Sequence, residues 1–178
     1  MALVIYGDLR SGNCLKVKWT AEKLGVAYDW VHVDIMTGET RTERFRQMNP
    51  AAQVPTVVLA DGTDLIPADA YWRAKTFEWL FWEQYSHEPY IAVRRFRKVY
   101  QGKAEDEIEP HLKVRGEAAL ARMESWLAAS RFLVNGSLTV ADIALVAYTR
   151  LAPEGGFDLG AFPAVRSWAG RVESELGL

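Results

Sequence analysis

The side chains best suited to chemistry lie in one short stretch, YGDLRSGNCLKV, where an apolar run ends and a helical pattern begins. Ser11, Asn13 and Cys14 fall at the start of the predicted helix. Backbone N–H groups in the first turn of a helix lack intrahelical partners, and the helix dipole favours negative charge there. The stretch therefore predicts a place where a thiolate can be held.

Each of these three residues also has a structural interpretation. Ser11 is a suitable N-cap, Asn13 a polar residue of a first turn, and Cys14 a small buried apolar residue. The functional interpretations are a hydroxyl that donates to a bound thiolate for Ser11 and a nucleophile of lowered pKa for Cys14. The local sequence favours the structural interpretation and leaves the functional one open.

The predicted secondary structure that must position this stretch changes in type once along the chain, near Pro67. Before that point apolar runs alternate with helical patterns, which predicts a small α/β domain over residues 1–66. After it only helical patterns follow, so residues 67–178 are predicted to form an all-helical domain, with LIPADA as the linker. The predicted elements of the first domain are a strand in ALVIYG, a helix over residues 13–24, a strand in YDWVHVDI, a short helix in TRTERFRQMN and a strand in TVVLA.

Capping patterns mark two helices of the second domain. Asp69 is a suitable N-cap for a long helix whose tryptophans 72, 79 and 82 share one face, as in a core stripe or a domain contact. Thr139 and Asp142 have the spacing of a capping box at the start of a buried helix. Asp142 is therefore predicted to be structural.

Composition restricts the partners. With 21 Lys and Arg, 23 Asp and Glu, and a formal net charge of -2, the chain has no large field to attract nucleic acid or an anionic membrane. A single cysteine excludes an internal disulfide and any CxxC redox or zinc pattern, and no metal is expected. No apolar run has membrane-spanning length and the N-terminus has no signal pattern. We expect a cytoplasmic protein that binds small molecules or proteins.

Several separated motifs resemble cytosolic glutathione S-transferases of the bacterial theta- or beta-like type: YGDLRSGNCLKVKWTAEKLGVAY, NPAAQVPTVVLADG and the all-helical second half. The resemblance covers nearly the whole chain and implies a thioredoxin-like N-terminal domain followed by a helical-bundle C-terminal domain. It also implies a cis peptide bond between Val54 and Pro55, with the Val54 main chain pairing with the cysteinyl backbone of glutathione. Only about 5–6% of X–Pro bonds are cis, so the local sequence does not predict this.

The same resemblance implies roles for single residues. Ser11 matches the serine that donates to the glutathione thiolate, and Asn13 matches a polar neighbour at the helix start. Cys14 matches the cysteine that the beta type places against the sulfur of the tripeptide, and Gln53 a residue that contacts its backbone. With no resolving cysteine in the chain, we favour Ser11 over Cys14 as the thiolate donor.

The activity that the resemblance implies is conjugation of glutathione to small apolar electrophiles, a detoxification reaction, by a homodimer. The alternatives are a non-catalytic homodimeric binding protein of the same fold, or a glutathione-dependent thiol-exchange or reductase enzyme that uses Cys14. Candidates for the electrophile pocket are Arg10, Tyr85, His87 and Tyr90, although His87 also suits a polar position at a helix kink before Pro89.

The chain departs from the family pattern after Asp61-Gly62, a tight-turn signal that only four residues separate from Pro67. The family has a fourth strand and a third helix here, and a polar pair at that helix N-terminus holds the γ-glutamyl carboxylate of glutathione. Losing two charge-assisted hydrogen bonds, each about 1.5–3 kcal/mol, predicts glutathione binding weaker by on the order of a hundredfold or more.

Three explanations of this departure stay open: a natural deletion, completion of the site by the partner of a dimer, or a longer polypeptide from which this sequence lacks a segment. The departure also makes the strand that contains Val57 a sheet edge and bares one face of the sheet. Together with the Trp-rich second half, this predicts a homodimer that buries more than roughly 1,000 Å².

Overall fold

The computed structural model describes residues 3–49, 51–56 and 65–178, and the chain divides into two compact units, Met1–Thr63 and Asp64–Leu178. The first unit contains β1 (Leu3–Gly7), α1 (Gly12–Lys23), β2 (Tyr28–His32) and α2 (Glu43–Met48). The second contains α3 (Ala70–Trp82), α4 (Glu88–Arg95), α5 (Pro110–Leu127), α6 (Val140–Thr149) and α7 (Pro163–Leu176).

A parallel strand pair forms the centre of the first unit. β1 and β2 are in register from Leu3 opposite Tyr28 to Gly7 opposite His32, with α1 as the connection. Thr56 adds an antiparallel bridge to Tyr6, since its N–H donates to the Tyr6 carbonyl at 3.4 Å. The rest of the predicted TVVLA strand, the Asp61-Gly62 turn and the predicted edge at Val57 lie outside the described residues.

The second predicted strand, YDWVHVDI, ends earlier than its apolar pattern indicates. β2 ends at His32 because its partner β1 ends opposite, at Gly7. The N–H of Val33 still donates to the Gly7 carbonyl, but the N–H of Ile35 donates to the carboxylate of Asp8 instead of to a strand. The last residues of the apolar pattern therefore belong to the loop that faces the end of β1.

The predicted N-cap at Asp69 is confirmed, because its Oδ1 accepts from the Trp72 N–H at 3.0 Å. From there residues 70–100 run in a nearly unbroken helix that widens into π-helical turns at residues 83–87 and 96–100. Pro89, just after the first of these turns, has no N–H to donate to the preceding turn, which accounts for the irregularity there.

α6 is the buried centre of the second unit, with nine of its ten residues buried. The predicted capping box is confirmed: the Asp142 carboxylate accepts from the N–H and the hydroxyl of Thr139, both at 3.0 Å. The same carboxylate accepts from Leu133 N at 2.9 Å and from Trp168 Nε1 at 2.8 Å. Asp142 therefore joins the start of α6 to the preceding loop and to α7.

Burial raises the pKa of the fully buried Asp142, while hydrogen bonds from Leu133, Trp168 and Thr139 act in the opposite direction.

Within the described ranges, none of the helices combines the length and the apolar character that crossing a membrane requires.

Candidate functional site

The loop between β1 and α1 is held by a buried carboxylate. Asp8 is 1% exposed and accepts from the backbone N–H and Nε of Arg10, both at 2.9 Å, and from the backbone N–H of Ile35 at 3.1 Å. The Nη2 atom of Arg10 lies 2.6 Å from an oxygen of Asp8 and 2.6 Å from one of Asp34. These bonds fix the loop that precedes Ser11 to the segment that follows β2.

The charge state of Asp8 follows from these partners. Burial alone raises the pKa of this carboxyl, but the hydrogen bonds from Arg10 and Ile35 and the charge of Arg10 outweigh it and lower the pKa to about 2. The pKa of the Arg10 guanidinium is raised, chiefly by its hydrogen bonds to Asp8 and Asp34. The loop therefore carries a permanent ion pair at neutral pH.

Ser11 occupies the N-cap position of α1 with extended backbone angles (φ -89°, ψ 117°), and its carbonyl accepts from Leu15 N at 3.0 Å. Its hydroxyl makes no capping hydrogen bond. The Ser11 side chain lies close enough to the Cys14 thiol to lower the pKa of that thiol. The structural interpretation of Ser11 therefore holds for its backbone, while its hydroxyl is not used as a helix cap.

Cys14 is fully buried in the first turn of α1. Burial raises the pKa of its thiol, and the hydrogen bonds with the Asp8 backbone and the Ser11 side chain lower it only in part. A side chain at Gly7 would come within 3.1 Å of the sulfur and 2.7 Å of the Trp30 ring, so the thiol sits in a tightly packed space. A raised pKa is the opposite of what the nucleophile interpretation of Cys14 requires.

Asn13 makes a partly buried contact within α1, because its Oδ1 accepts from Lys16 Nζ at 2.9 Å. This bond agrees with the interpretation of Asn13 as a polar residue in the first turn of the helix.

The Val54–Pro55 peptide bond is cis, the conformation that the family resemblance implies. The carbonyl of Gln53 accepts from Asn49 Nδ2 at 2.9 Å and from Thr56 Oγ1 at 3.2 Å, while the Gln53 side chain is exposed. Since Thr56 bridges to Tyr6, the segment 53–55 is tied to β1, the strand that leads into the Ser11 loop.

The candidates for the electrophile pocket in the helical unit do not all line one groove. Tyr85 and Tyr90 line one groove of about 230 Å³ on the helical unit. His87, in contrast, is fully buried, and its Nε2 lies 2.9 Å from the Thr149 hydroxyl. Arg10 belongs to the first unit and is engaged with Asp8 and Asp34. The structure therefore gives His87 the structural role at the helix irregularity.

The sequence analysis did not identify two residues: Asp8, which holds the loop before α1, and Arg122, which lines the groove of the helical unit. Asp8 has a weak local signal, an acidic residue directly after a strand with Arg10 two positions later, but its contact with Ile35 spans 27 positions. Arg122 lies in the same groove as Tyr85 and Tyr90, and no sequence pattern links α5 to α3 across that distance.

Among the described residues, no group of three or more His, Cys, Asp or Glu side chains is arranged to hold a metal ion.

A strand–helix–strand unit followed by a helical unit fits a thioredoxin-like domain and an all-helical domain. The model of the glutathione S-transferase N-terminal domain matches residues 10–72, and that of the C-terminal domain matches residues 81–175. The chain belongs to the glutathione S-transferase family.

Solved and curated proteins agree with this assignment. A glutathione S-transferase from Pseudomonas fluorescens Pf-5 is 41% identical, with a TM-score of 0.92 over 98% of this chain and 96% of that one. Glutathione S-transferase theta-3 from Mus musculus is 26% identical over 99% of this chain and 84% of its own length. Ure2p, solved in complex with glutathione, shares the fold at 20% identity, with a TM-score of 0.84 over 97% of this chain and 94% of that one.

The alignment with mouse theta-3 has more positions than this chain has residues. It extends over 208 positions, whereas this chain has 178 residues, so at least 30 aligned positions have no residue of this chain opposite them.

Proposed function

We propose that this protein is a glutathione transferase that conjugates the glutathione thiolate to small, largely apolar electrophiles. The observation that carries the proposal is the placement of Ser11 at the N-terminus of α1, with a hydroxyl that is not used to cap the helix. Membership of the glutathione S-transferase family supports a reaction of this class.

In the proposed reaction, Ser11 donates a hydrogen bond to the glutathione sulfur, and the positive end of the α1 dipole adds to the stabilisation of the thiolate. The thiolate attacks an electrophilic carbon, a C–S bond forms, and the leaving group departs with the bonding electron pair. Catalysis follows from the lowered pKa of the bound thiol and from its positioning. Asp8 contributes by fixing the loop that carries Ser11.

Glutathione is the proposed co-substrate, bound along the main chain of Val54, with Gln53 and Pro55 beside it. The Ure2p complex with glutathione supports this, since a protein of the same fold binds the tripeptide. Asn13 and Cys14 are proposed to shape the space around the sulfur. We place the two functional domains at residues 1–66 and 67–178, and the reaction in the cytoplasm as part of detoxification.

A homodimer is the proposed assembly, and the helical unit offers a surface for it. Phe77 and Phe81 stack on each other with centroids 6.5 Å apart on the outer side of α3. Phe81 is 73% exposed and Phe77, one helical turn earlier, is 41% exposed. Two neighbouring exposed phenylalanines are unusual on the surface of a monomer. Among the tryptophans of the helical unit, Trp79 and Trp168 are buried, whereas Trp126 is 39% exposed.

A non-catalytic binding protein of the same fold is the second candidate. It is favoured by one observation, the 30 or more positions by which the chain falls short of its alignment with mouse theta-3. A thiol-exchange role for Cys14 has less support, because the thiol is fully buried and its pKa is raised.

Retention on immobilised glutathione and conjugation of an aryl halide separate the two candidates. A transferase should give a rate above the uncatalysed background that depends on Ser11. A protein that is not retained on immobilised glutathione and that gives no conjugation above the uncatalysed background would favour the non-catalytic binding protein. Intact-mass measurement on the natural protein tests the shortening directly, since a mass well above 20.1 kDa would mean that the polypeptide has the missing segment.

A further inference from the structure

Arg10 directly precedes Ser11, and its side chain joins two loops of the first unit. Its Nη2 atom donates at 2.6 Å both to Oδ2 of Asp8, in the loop between β1 and α1, and to Oδ1 of Asp34, in the β2–α2 loop (residues 33–42). Twenty-four positions separate Arg10 from Asp34 along the chain. One cation therefore connects the loop that carries Ser11 with a distant loop of the same unit.

The Arg10 end of this ion-pair bridge fixes the backbone of Ser11. Oδ1 of Asp8 accepts from the backbone N–H and from Nε of Arg10, both at 2.9 Å, so the main chain and the side chain of Arg10 bind the same oxygen. The N–H of Ser11 donates to the Asp8 carbonyl at 2.9 Å. A rotation of the Arg10 peptide would break these bonds together, so the direction of the Ser11 side chain depends on where Arg10 is held.

Asp34 holds the other loop in the same way. Its Oδ1 accepts from Met36 N at 2.7 Å as well as from Arg10, and its own N–H donates to Oε2 of Glu39 at 2.8 Å. The carboxylate that contacts Arg10 is therefore also the one that shapes the β2–α2 loop.

Charge makes the closed bridge depend on Arg10. The bonded oxygens of Asp8 and Asp34 are each 2.6 Å from the same nitrogen, so without the cation two like charges would face each other at close range. The Asp8 side chain is 1% exposed, whereas those of Asp34 and Arg10 are 30% and 39% exposed. Water screens the Arg10–Asp34 contact more strongly, so the bridge opens first at Asp34.

We propose that Arg10 is a positioning residue that couples the conformation of the β2–α2 loop to the direction of the Ser11 hydroxyl. When the bridge is closed, the hydroxyl keeps one direction at the start of α1; when it opens, the loop and the hydroxyl both gain freedom. The coupling is a property of the chain alone, while its effect on catalysis rests on the proposed function. By linkage, a change in either loop must alter the other.

Amide hydrogen exchange, measured residue by residue by NMR on the full chain without glutathione, tests the coupling. Arg10→Gln should speed exchange at Ile35, whose N–H donates to Asp8 at 3.1 Å, by about fivefold. Adding Asp34→Asn removes one of the two facing charges, so the double variant should exchange more slowly at Ile35 than Arg10→Gln does. In the reverse direction, Asp34→Asn alone should speed exchange of the Ser11 N–H.

Two further variants separate the bridge from general effects of charge. Arg10→Lys keeps the positive charge without the planar fork, so it should restore most of the protection at Ile35. Asp29→Asn is the matched control, because Asp29 is an exposed aspartate on β2, outside the bridge. It removes the same charge as Asp34→Asn and should leave exchange at Ile35 and Ser11 unchanged. Thermal unfolding shows that each variant is folded before exchange is measured.

The pH profile of kcat/KM for conjugation of an aryl halide tests the link to catalysis. A misdirected Ser11 hydroxyl stabilises the thiolate less, so Arg10→Gln should move the profile to higher pH and Arg10→Lys should move it back. A merely structural role of Arg10 would lower the amount of folded protein without moving the profile.

The proposal is overturned if Arg10→Gln leaves exchange at Ile35 unchanged, if the added Asp34→Asn does not slow it, or if Asp29→Asn speeds exchange at Ser11 as much as Asp34→Asn does. An unchanged pH profile in an active Arg10→Gln variant would also overturn it. The exchange results do not depend on transferase activity, so failure here and failure of the proposed function are distinguishable.

Discussion

Asp8 stabilises the loop before Ser11 because its carboxylate accepts hydrogen bonds from two parts of the first unit. Arg10 donates from within the loop, and Ile35 donates from the segment after β2. A buried carboxylate with this many donors stays ionised, and the cost of its burial is offset by the ion pair with Arg10. The position of the Ser11 hydroxyl therefore depends on the charge state of a residue three positions earlier.

Replacing Asp8 with asparagine should change how the free energy of unfolding depends on pH. The pKa of Asp8 is about 2 in the folded chain, below its ordinary value of 3.8, so its charge stabilises the fold fully above about pH 4. That contribution, about 2 kcal/mol, is lost as the pH falls towards 2. The difference in free energy of unfolding between wild type and Asp8→Asn should thus be largest near pH 7 and shrink between pH 4 and pH 2.

Urea unfolding at a series of pH values measures this difference. Asp29→Asn is the matched control, since Asp29 is an exposed carboxylate on β2 in the same unit. An Asp8→Asn difference that does not change with pH would show that the carboxylate is not stabilised by its partners.

Ser11 and Cys14 both lie at the start of α1, and their exchange for alanine separates their roles. If the chain conjugates an aryl halide, Ser11→Ala should lower the rate by roughly tenfold to a thousandfold, as expected for loss of one donor to a developing charge, about 1.4–4 kcal/mol. Cys14→Ala should have a smaller effect, because the buried thiol has a raised pKa. The reverse order, with a glutathione adduct on Cys14 in the mass spectrum, would indicate thiol-exchange chemistry instead.

At the scale of helices and strands, the sequence predicts those features that depend on residues close to each other in the chain. The helix starts at Asp69 and at Thr139 follow from caps within three residues, and both are confirmed. The end of β2 and the fourfold use of the Asp142 carboxylate are set by partners far along the chain, such as Gly7 and Trp168. The pairing of Arg122 with Trp82 is equally remote, which is why the groove has no sequence signal.

Asp142→Ala should destabilise the chain far more than loss of an ordinary helix cap. The substitution leaves the buried donors of Leu133, Thr139 and Trp168 without their common acceptor, so we expect a loss of about 3–5 kcal/mol. The free energy of urea unfolding measures it. Asp158→Ala is the control, because Asp158 caps an exposed turn through a single bond to Gly160 N, and about 1 kcal/mol is expected there. Equal losses in the two variants would contradict the central role of Asp142.

For the molecule as a whole, the fold class follows from the order of apolar and helical patterns, but the extent of the first domain does not. Residues 57–64, where the chain departs from the family pattern, lie outside the described residues, and the alignment with mouse theta-3 is at least 30 positions longer than this chain. A first domain without the fourth strand and third helix would lose glutathione contacts and buried apolar surface. Association with a second copy would restore some of that burial.

Sedimentation at micromolar concentration should therefore show a species of twice the 20.1 kDa chain mass. Because Phe81 is 73% exposed and stacks on Phe77, Phe81→Glu places a charge in the middle of the proposed contact and should shift the species to the monomer mass. Val114→Glu is the matched control: Val114 is 65% exposed on α5, outside the Phe77–Phe81 pair, and this change should leave the dimer intact. A wild-type monomer, or a dimer that survives Phe81→Glu, would exclude the α3 surface as the contact between copies.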